Sequence, residues 1–178
     1  ARALLLIAVT MPLWASYLVK IYAWRTILQS NGLLGWLLSP FGLEGPGLTE
    51  IVNTWLVLTY LWLPYMILPV YAGIERIPNS LLEASADLGG RGWMTFRRVI
   101  FPQLIPALAA GSIFTFSLSI GDYIVPDLVS DAKFIGNVIY DNSALGSFPV
   151  AAAYSFVPIG VMIAYLFFAR RLGAFESL

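Results

Sequence analysis

The sequence predicts an all-α fold, a polytopic bundle of membrane-spanning helices, and three observations carry that expectation. Of the 178 residues, 59% are hydrophobic and only 11% are charged, a mixture foreign to soluble globular domains. The mean hydropathy is +0.80. Four apolar stretches, separated by polar connections rich in turn residues, approach the roughly 20 residues a helix needs to cross ~30 Å of hydrocarbon.

The first stretch covers about residues 3–23, interrupted only by Pro12 and small hydroxyls that a helix in lipid satisfies on its own carbonyls. The second covers about 51–72, where Pro64 and Pro69 are expected to kink it. The third covers about 104–124 and the fourth about 150–168. Trp14, Tyr17, Tyr22 and Trp24 crowd the end of the first and Tyr71 the end of the second, as an interfacial belt places them. A short helix is expected over Gly32–Leu38, within a connection otherwise built of turns, and no internal repeat or low-complexity tract is present. The chain starts at Ala1 and enters an apolar run almost at once, so its N-terminus reads as truncated.

Charge sets the orientation. Arg76, Arg91, Arg97 and Arg98 lie in the middle connection, and Arg2, Arg170 and Arg171 fall on the same side. Only Lys20, Arg25 and Lys133 fall on the other. The positive-inside rule makes the middle connection and the C-terminus cytoplasmic. The opposite face carries Glu44, Glu50, Asp122, Asp127, Asp131 and Asp141, a mildly anionic mouth that favours cations.

Ten basic and ten acidic residues leave no net charge, so there is no electrostatic footprint for nucleic acid. Cys and His are absent, which removes thiol nucleophiles, imidazole chemistry and most transition-metal sites. No catalytic residue, cofactor or metal is expected. No GxxxxGK[ST] cradle for nucleotide phosphates occurs, and Lys20 and Lys133 are the only lysines.

The middle connection, about 75–102, is patterned. Ser80 and Glu83 have capping-box spacing before a helix expected over Leu81–Leu88, and Gly89 and Gly90 supply its stop. A second helix is expected over Trp93–Phe101, basic at Arg97 and Arg98 and ended by Pro102. The product is a helix-turn-helix.

Here the chain resembles the inner-membrane permeases of binding-protein-dependent importers, whose signature reads EAA, three residues, G, nine residues, I, one residue, LP. Glu83, Ala84, Gly89 and Pro102 stand at that spacing, with Ser85, Val99 and Phe101 as mild departures. The resemblance implies an ATPase-coupling role for Glu83, Ala84, Ser85, Gly89 and Pro102. It also implies two separate ATP-binding-cassette ATPase subunits, a second permease subunit, an extracytoplasmic substrate-binding protein and a multi-pass place in a bacterial inner membrane among its lipids. Capping and helix-stop roles for Glu83 and Gly89 are compatible with it. The segments Leu13–Trp24, Leu63–Pro78 and Asp122–Ile139 look like the spermidine and putrescine branch, whose members have six spans, so this chain lacks about two at its N-terminus.

A polyamine path requires carboxylates to replace ammonium hydration and aromatic faces to attract the cation. Asp122 beside Tyr123 is the first candidate and Asp127 the next, with Tyr60 and Tyr65 behind them; the alternative for Asp122 is a cap on the turn before Pro126. Asn53, Thr54 and Thr59 read as interhelical hydrogen bonders. Two rivals are an importer permease for another small solute and a stand-alone secondary carrier, which would place paired charges at mid-membrane.

Overall fold

The computed structural model describes residues 2–29, 32–41 and 50–173. Glu44, most of the connection around it and Ala1 lie outside them. Every regular element among the described residues is helical. In order they are α1 (Arg2–Trp14), α2 (Tyr17–Leu28), α3 (Leu33–Leu38) with a 3₁₀ turn over Ser39–Phe41, α4 (Glu50–Glu75), α5 (Asn79–Asp87) and α6 (Gly92–Thr95). A π-helical turn at Phe96–Ile100 then leads into α7 (Phe101–Ile120), followed by α8 (Ile124–Val129), α9 (Ile135–Ala144) and α10 (Phe148–Arg171).

Among the described residues, three helices are long and apolar enough to cross a membrane: α4, the continuous helix Gly92–Ile120, and α10. The first expected span is not one helix. Pro12 withdraws an amide from the ladder, Ala15 N–H closes a turn on the Pro12 carbonyl, and Ser16 adopts an extended ψ of 139°. The chain bends there by 103°, so α1 and α2 make a fourth crossing only as a bent pair. The third span ends at Ile120 rather than Ile124, because Ile124 opens α8.

The chain divides into two compact units. The first comprises α1 to α3, α4 up to Pro64, α7 from Leu118, α8, α9 and α10 up to Ile159. Its core is Ile21, Leu28, Val57, Leu61 and Val125, with Tyr17, Trp24, Tyr60 and Trp62 packed around it. Tyr17, Ile21, Trp24 and Leu28 recur at intervals of four, three and four, one stripe of an α-helix. Thr54, Val57, Leu61 and Pro64 form the matching buried stripe of α4. Thr54 Oγ1 donates to Ser130 Oγ at 3.0 Å, which ties α4 to the residue that ends α8.

The second unit comprises the rest of α4, the α5–α6 hairpin and the remainder of α7 and α10. Small residues bring its helices together: Ala109 is packed with Ala169, Ile113 and Tyr165. Tyr165 Oη donates to Ser112 Oγ at 2.6 Å, which donates to the Ala109 carbonyl at 2.7 Å. Small residues with one hydroxyl chain suit a bundle in which lipid competes equally for large apolar side chains.

Candidate functional site

The second unit carries a helical hairpin. α5 starts at Asn79, one turn-setting residue after Pro78, whose ψ of 138° is extended. Ser80 is therefore inside the first turn rather than at the cap, and no side chain caps the helix. The Ser80–Glu83 capping box is thus corrected: Pro78, with φ fixed near the helical value, starts the helix early enough to carry both residues past the capping positions.

The other end is as expected. Gly89 has φ +75°, its N–H donates to the Ala86 carbonyl at 2.9 Å, and Gly90 N–H donates to the Ser85 carbonyl at 2.8 Å. These two bonds make a Schellman motif, which a residue with a Cβ at position 89 would strain. The chain re-enters helix after Arg91, with Thr95 N–H on the Arg91 carbonyl at 2.9 Å.

Pro102 does not end the second helix, which runs on to Ile120. A proline leaves the carbonyl four residues back, here Arg98, unpaired and crowded. The helix widens to a π turn at Phe96–Ile100 immediately before it, with Phe101 N–H on the Phe96 carbonyl. The hairpin is consequently joined to a membrane-crossing helix by unbroken helical backbone.

Leu81, Ala84, Leu88, Met94 and Val99, with Ser85, Gly90 and Arg98, line a groove of about 330 Å³ between the two arms. Leu88 is 88% exposed and Trp93, stacked on Phe96 at 5.6 Å, is 73% exposed. Of the sequence-predicted residues, Ala84 and Ser85 border this groove, Gly89 makes its turn, Glu83 is exposed on α5, and Pro102 lies beyond the π turn. Leu88, Trp93 and Thr95 were not singled out by the sequence. An apolar side chain at the residue before Gly-Gly is the signal that could have found Leu88.

The first unit holds Asp122, Tyr123 and Asp127. Asp122 Oδ1 accepts from Ile124 N–H at 3.0 Å and Val125 N–H at 3.1 Å, and Oδ2 accepts from Tyr17 Oη at 2.5 Å. Its carboxylate thus fastens the start of α8 to α2, whose Tyr17 ring stacks on Trp62 at 6.1 Å. Tyr123 stacks on Tyr140 at 4.3 Å, and its carbonyl accepts from Asn137 Nδ2 at 2.9 Å. Asn137 Oδ1 in turn accepts from Phe134 N–H at 3.2 Å, so this buried amide uses both ends.

Asp127 is exposed and lines a polar pocket of about 280 Å³ with Arg25, Gln29, Glu50, Asn53, Ser130 and Asp131. Asn53 Oδ1 is enclosed without a hydrogen-bond partner among the described residues. Lys133 stands 2.9 Å from Asp141 and 3.8 Å from Asp127. The hydrogen bond to Asp141 holds its ammonium above the usual lysine range. Tyr60 packs on Trp24 at 5.4 Å and Tyr65 is 38% exposed; neither lines this pocket.

Residues 2–175 match the family described as "Binding-protein-dependent transport system inner membrane component". An inner membrane ABC transporter permease protein, YdcU of Escherichia coli (strain K12), is 50% identical over 194 aligned positions, covering 99% of this chain and 62% of that protein. The spermidine/putrescine transport system permease protein PotB of Haemophilus influenzae is 36% identical over 174 positions, covering 94% of this chain and 60% of that protein. PotB of Escherichia coli (strain K12) is 33% identical over 180 positions, covering 96% and 66%. The chain spans less than two thirds of the length of each of these relatives. A match over nearly the whole chain, on an all-helical fold with several membrane-crossing helices, is decisive: the chain belongs to the inner-membrane component family of binding-protein-dependent transport systems.

Proposed function

We propose that the chain is the pore-forming permease portion of an ATP-driven importer, that it couples to two separate ATPase subunits through the α5–α6 hairpin, and that its cargo is a polyamine. One observation carries the coupling role. The groove between α5 and α6 presents Leu88 almost fully exposed, and unbroken helix leads from it into a membrane-crossing helix. An apolar knob on a rigid lever suits a partner that pulls or pushes. Glu83, Ala84, Ser85, Gly89 and Pro102 remain the proposed coupling set. By the positive-inside distribution of arginines this hairpin faces the cytoplasm. A second permease subunit and an external substrate-binding protein complete the assembly.

The polyamine reading draws on the names of the PotB relatives and on the polar pocket beside Asp127. Within the proposed path Asp127 faces the solute, whereas Asp122 and Tyr123 shape the wall, since both Asp122 oxygens are engaged by the chain itself. The relative named YdcU carries no solute in its name, so a permease for another small solute is the second reading.

The test is uptake of radiolabelled spermidine and putrescine into proteoliposomes holding the full-length protein and its co-encoded partners. ATP-dependent uptake, slowed by Asp127→Asn, is the expected result. ATPase stimulation by a binding protein loaded with another solute, with no polyamine uptake, would keep the permease and discard the cargo.

A further inference from the structure

Between Glu83 and Arg98 every residue is exposed except three, Ser85, Gly90 and Thr95. Those three meet. Ser85 Oγ lies 2.9 Å from Thr95 Oγ1, and Gly90 N–H donates to the Ser85 carbonyl. A Cβ added at Gly90 would stand 2.5 Å from Ser85 Oγ, 2.6 Å from the Ser85 carbonyl oxygen and 3.0 Å from Thr95 Oγ1. At its turn the hairpin therefore closes on a pair of hydroxyls set against the bare backbone of Gly90, where helix stops of this kind frequently carry a hydrophobic contact.

We propose that Ser85 and Thr95 form a positioning pair, a clasp that fixes α5 against α6 so that displacement of α5 reaches the membrane-crossing helix without slack. The chemistry favours this role. Apolar surfaces slide over one another at little cost, whereas a hydroxyl pair is directional in distance and angle. Gly90 is part of the device, because any side chain there would part the two hydroxyls. Ser85 stands where the signature of the resembling family has Ala, so the clasp is a property of this sequence rather than of the motif. The inference rests on the hairpin being the ATPase-coupling element. Neither hydroxyl is placed against nucleotide or solute; they act through the geometry of α5.

The test uses the complete transporter in vesicles, with Thr95→Val to remove the hydroxyl at constant shape, Ser85→Ala as a second disruption and Thr95→Ser to retain the bond. Two readouts are taken: amide exchange of residues 79–95, and ATP hydrolysed per spermidine imported. Losing one such bond speeds exchange at Leu88 to Gly90 about five-fold. Thr95→Val should show that acceleration and a higher ATP-to-spermidine ratio with ATPase binding unchanged, Ser85→Ala should show the same acceleration and the same rise in the ratio, and Thr95→Ser should match the wild type in both. Wild-type exchange and ratio in Thr95→Val, or a Thr95→Ser variant as defective as Thr95→Val, would overturn the clasp. Failure of the coupling role is separable, since it would show as ATPase binding that survives Leu88→Asp whatever the exchange data say.

Discussion

Leu88→Asp is expected to abolish ATP-dependent uptake while leaving the permease folded in the membrane. The side chain is 88% exposed, so its replacement should change folding stability by no more than about 0.5 kcal/mol, as surface substitutions generally do. In the assembled transporter the same side chain would be buried, and an unpaired carboxylate in an apolar interface is costly. A central apolar anchor is worth about 2 kcal/mol or more, so affinity for the ATPase should fall at least about 30-fold. Glu83→Arg should act in the same direction by reversing the charge on the exposed surface of α5. Co-purification of the ATPase and the amount of permease in the membrane, measured side by side, check both parts. Loss of the permease from the membrane would assign Leu88 to folding instead.

Asp122→Ala is expected to be the most destabilising substitution in the first unit. It removes one carboxylate that serves three donors: two backbone amides at the start of α8 and the Tyr17 hydroxyl 105 positions away in sequence. Hydrogen bonds to charged groups and helix caps of this kind sum to about 3 kcal/mol. Asp122→Asn should cost much less, because its carboxamide oxygen keeps both amides and the Tyr17 oxygen can accept from its NH₂. Thermal unfolding in detergent orders the series as wild type, then Asn, then Ala. If Asn proved as damaging as Ala, the negative charge itself, and not its hydrogen bonds, would be what position 122 supplies.

Much of this fold is legible in the sequence because lipid imposes a length and a polarity that no other context demands. Residues 51–72 and 150–168 announce α4 and α10 by hydrophobic length alone, and Gly89 announces a left-handed stop because few residues tolerate one. The break at Ser16 is less visible, since an apolar run reads the same whether it is one helix or two joined at a bend. The Ser80–Glu83 spacing misleads because Pro78 shifts the helix start by two residues. Pro102 misleads because the proline's demand is met by a π turn, a local backbone change that spacing does not reveal. The Tyr17–Asp122 bond joins residues with no local relation, and Thr95 meets Ser85 only because Gly90 leaves room. The partners of the charged residues required the folded chain.

The absence of cysteine from the chain allows the coupling role of the hairpin to be tested directly. A single cysteine at Leu88, in an otherwise cysteine-free full-length permease assembled with its partners, is compared with one at Leu145, which is 81% exposed on the opposite face by the arginine distribution. Leu88→Cys is expected to crosslink to the ATPase with a yield that changes between ATP-bound and nucleotide-free states, and Leu145→Cys is expected not to reach it. Crosslinking to the ATPase from Leu145→Cys but not from Leu88→Cys would contradict both the orientation and the coupling role of the hairpin.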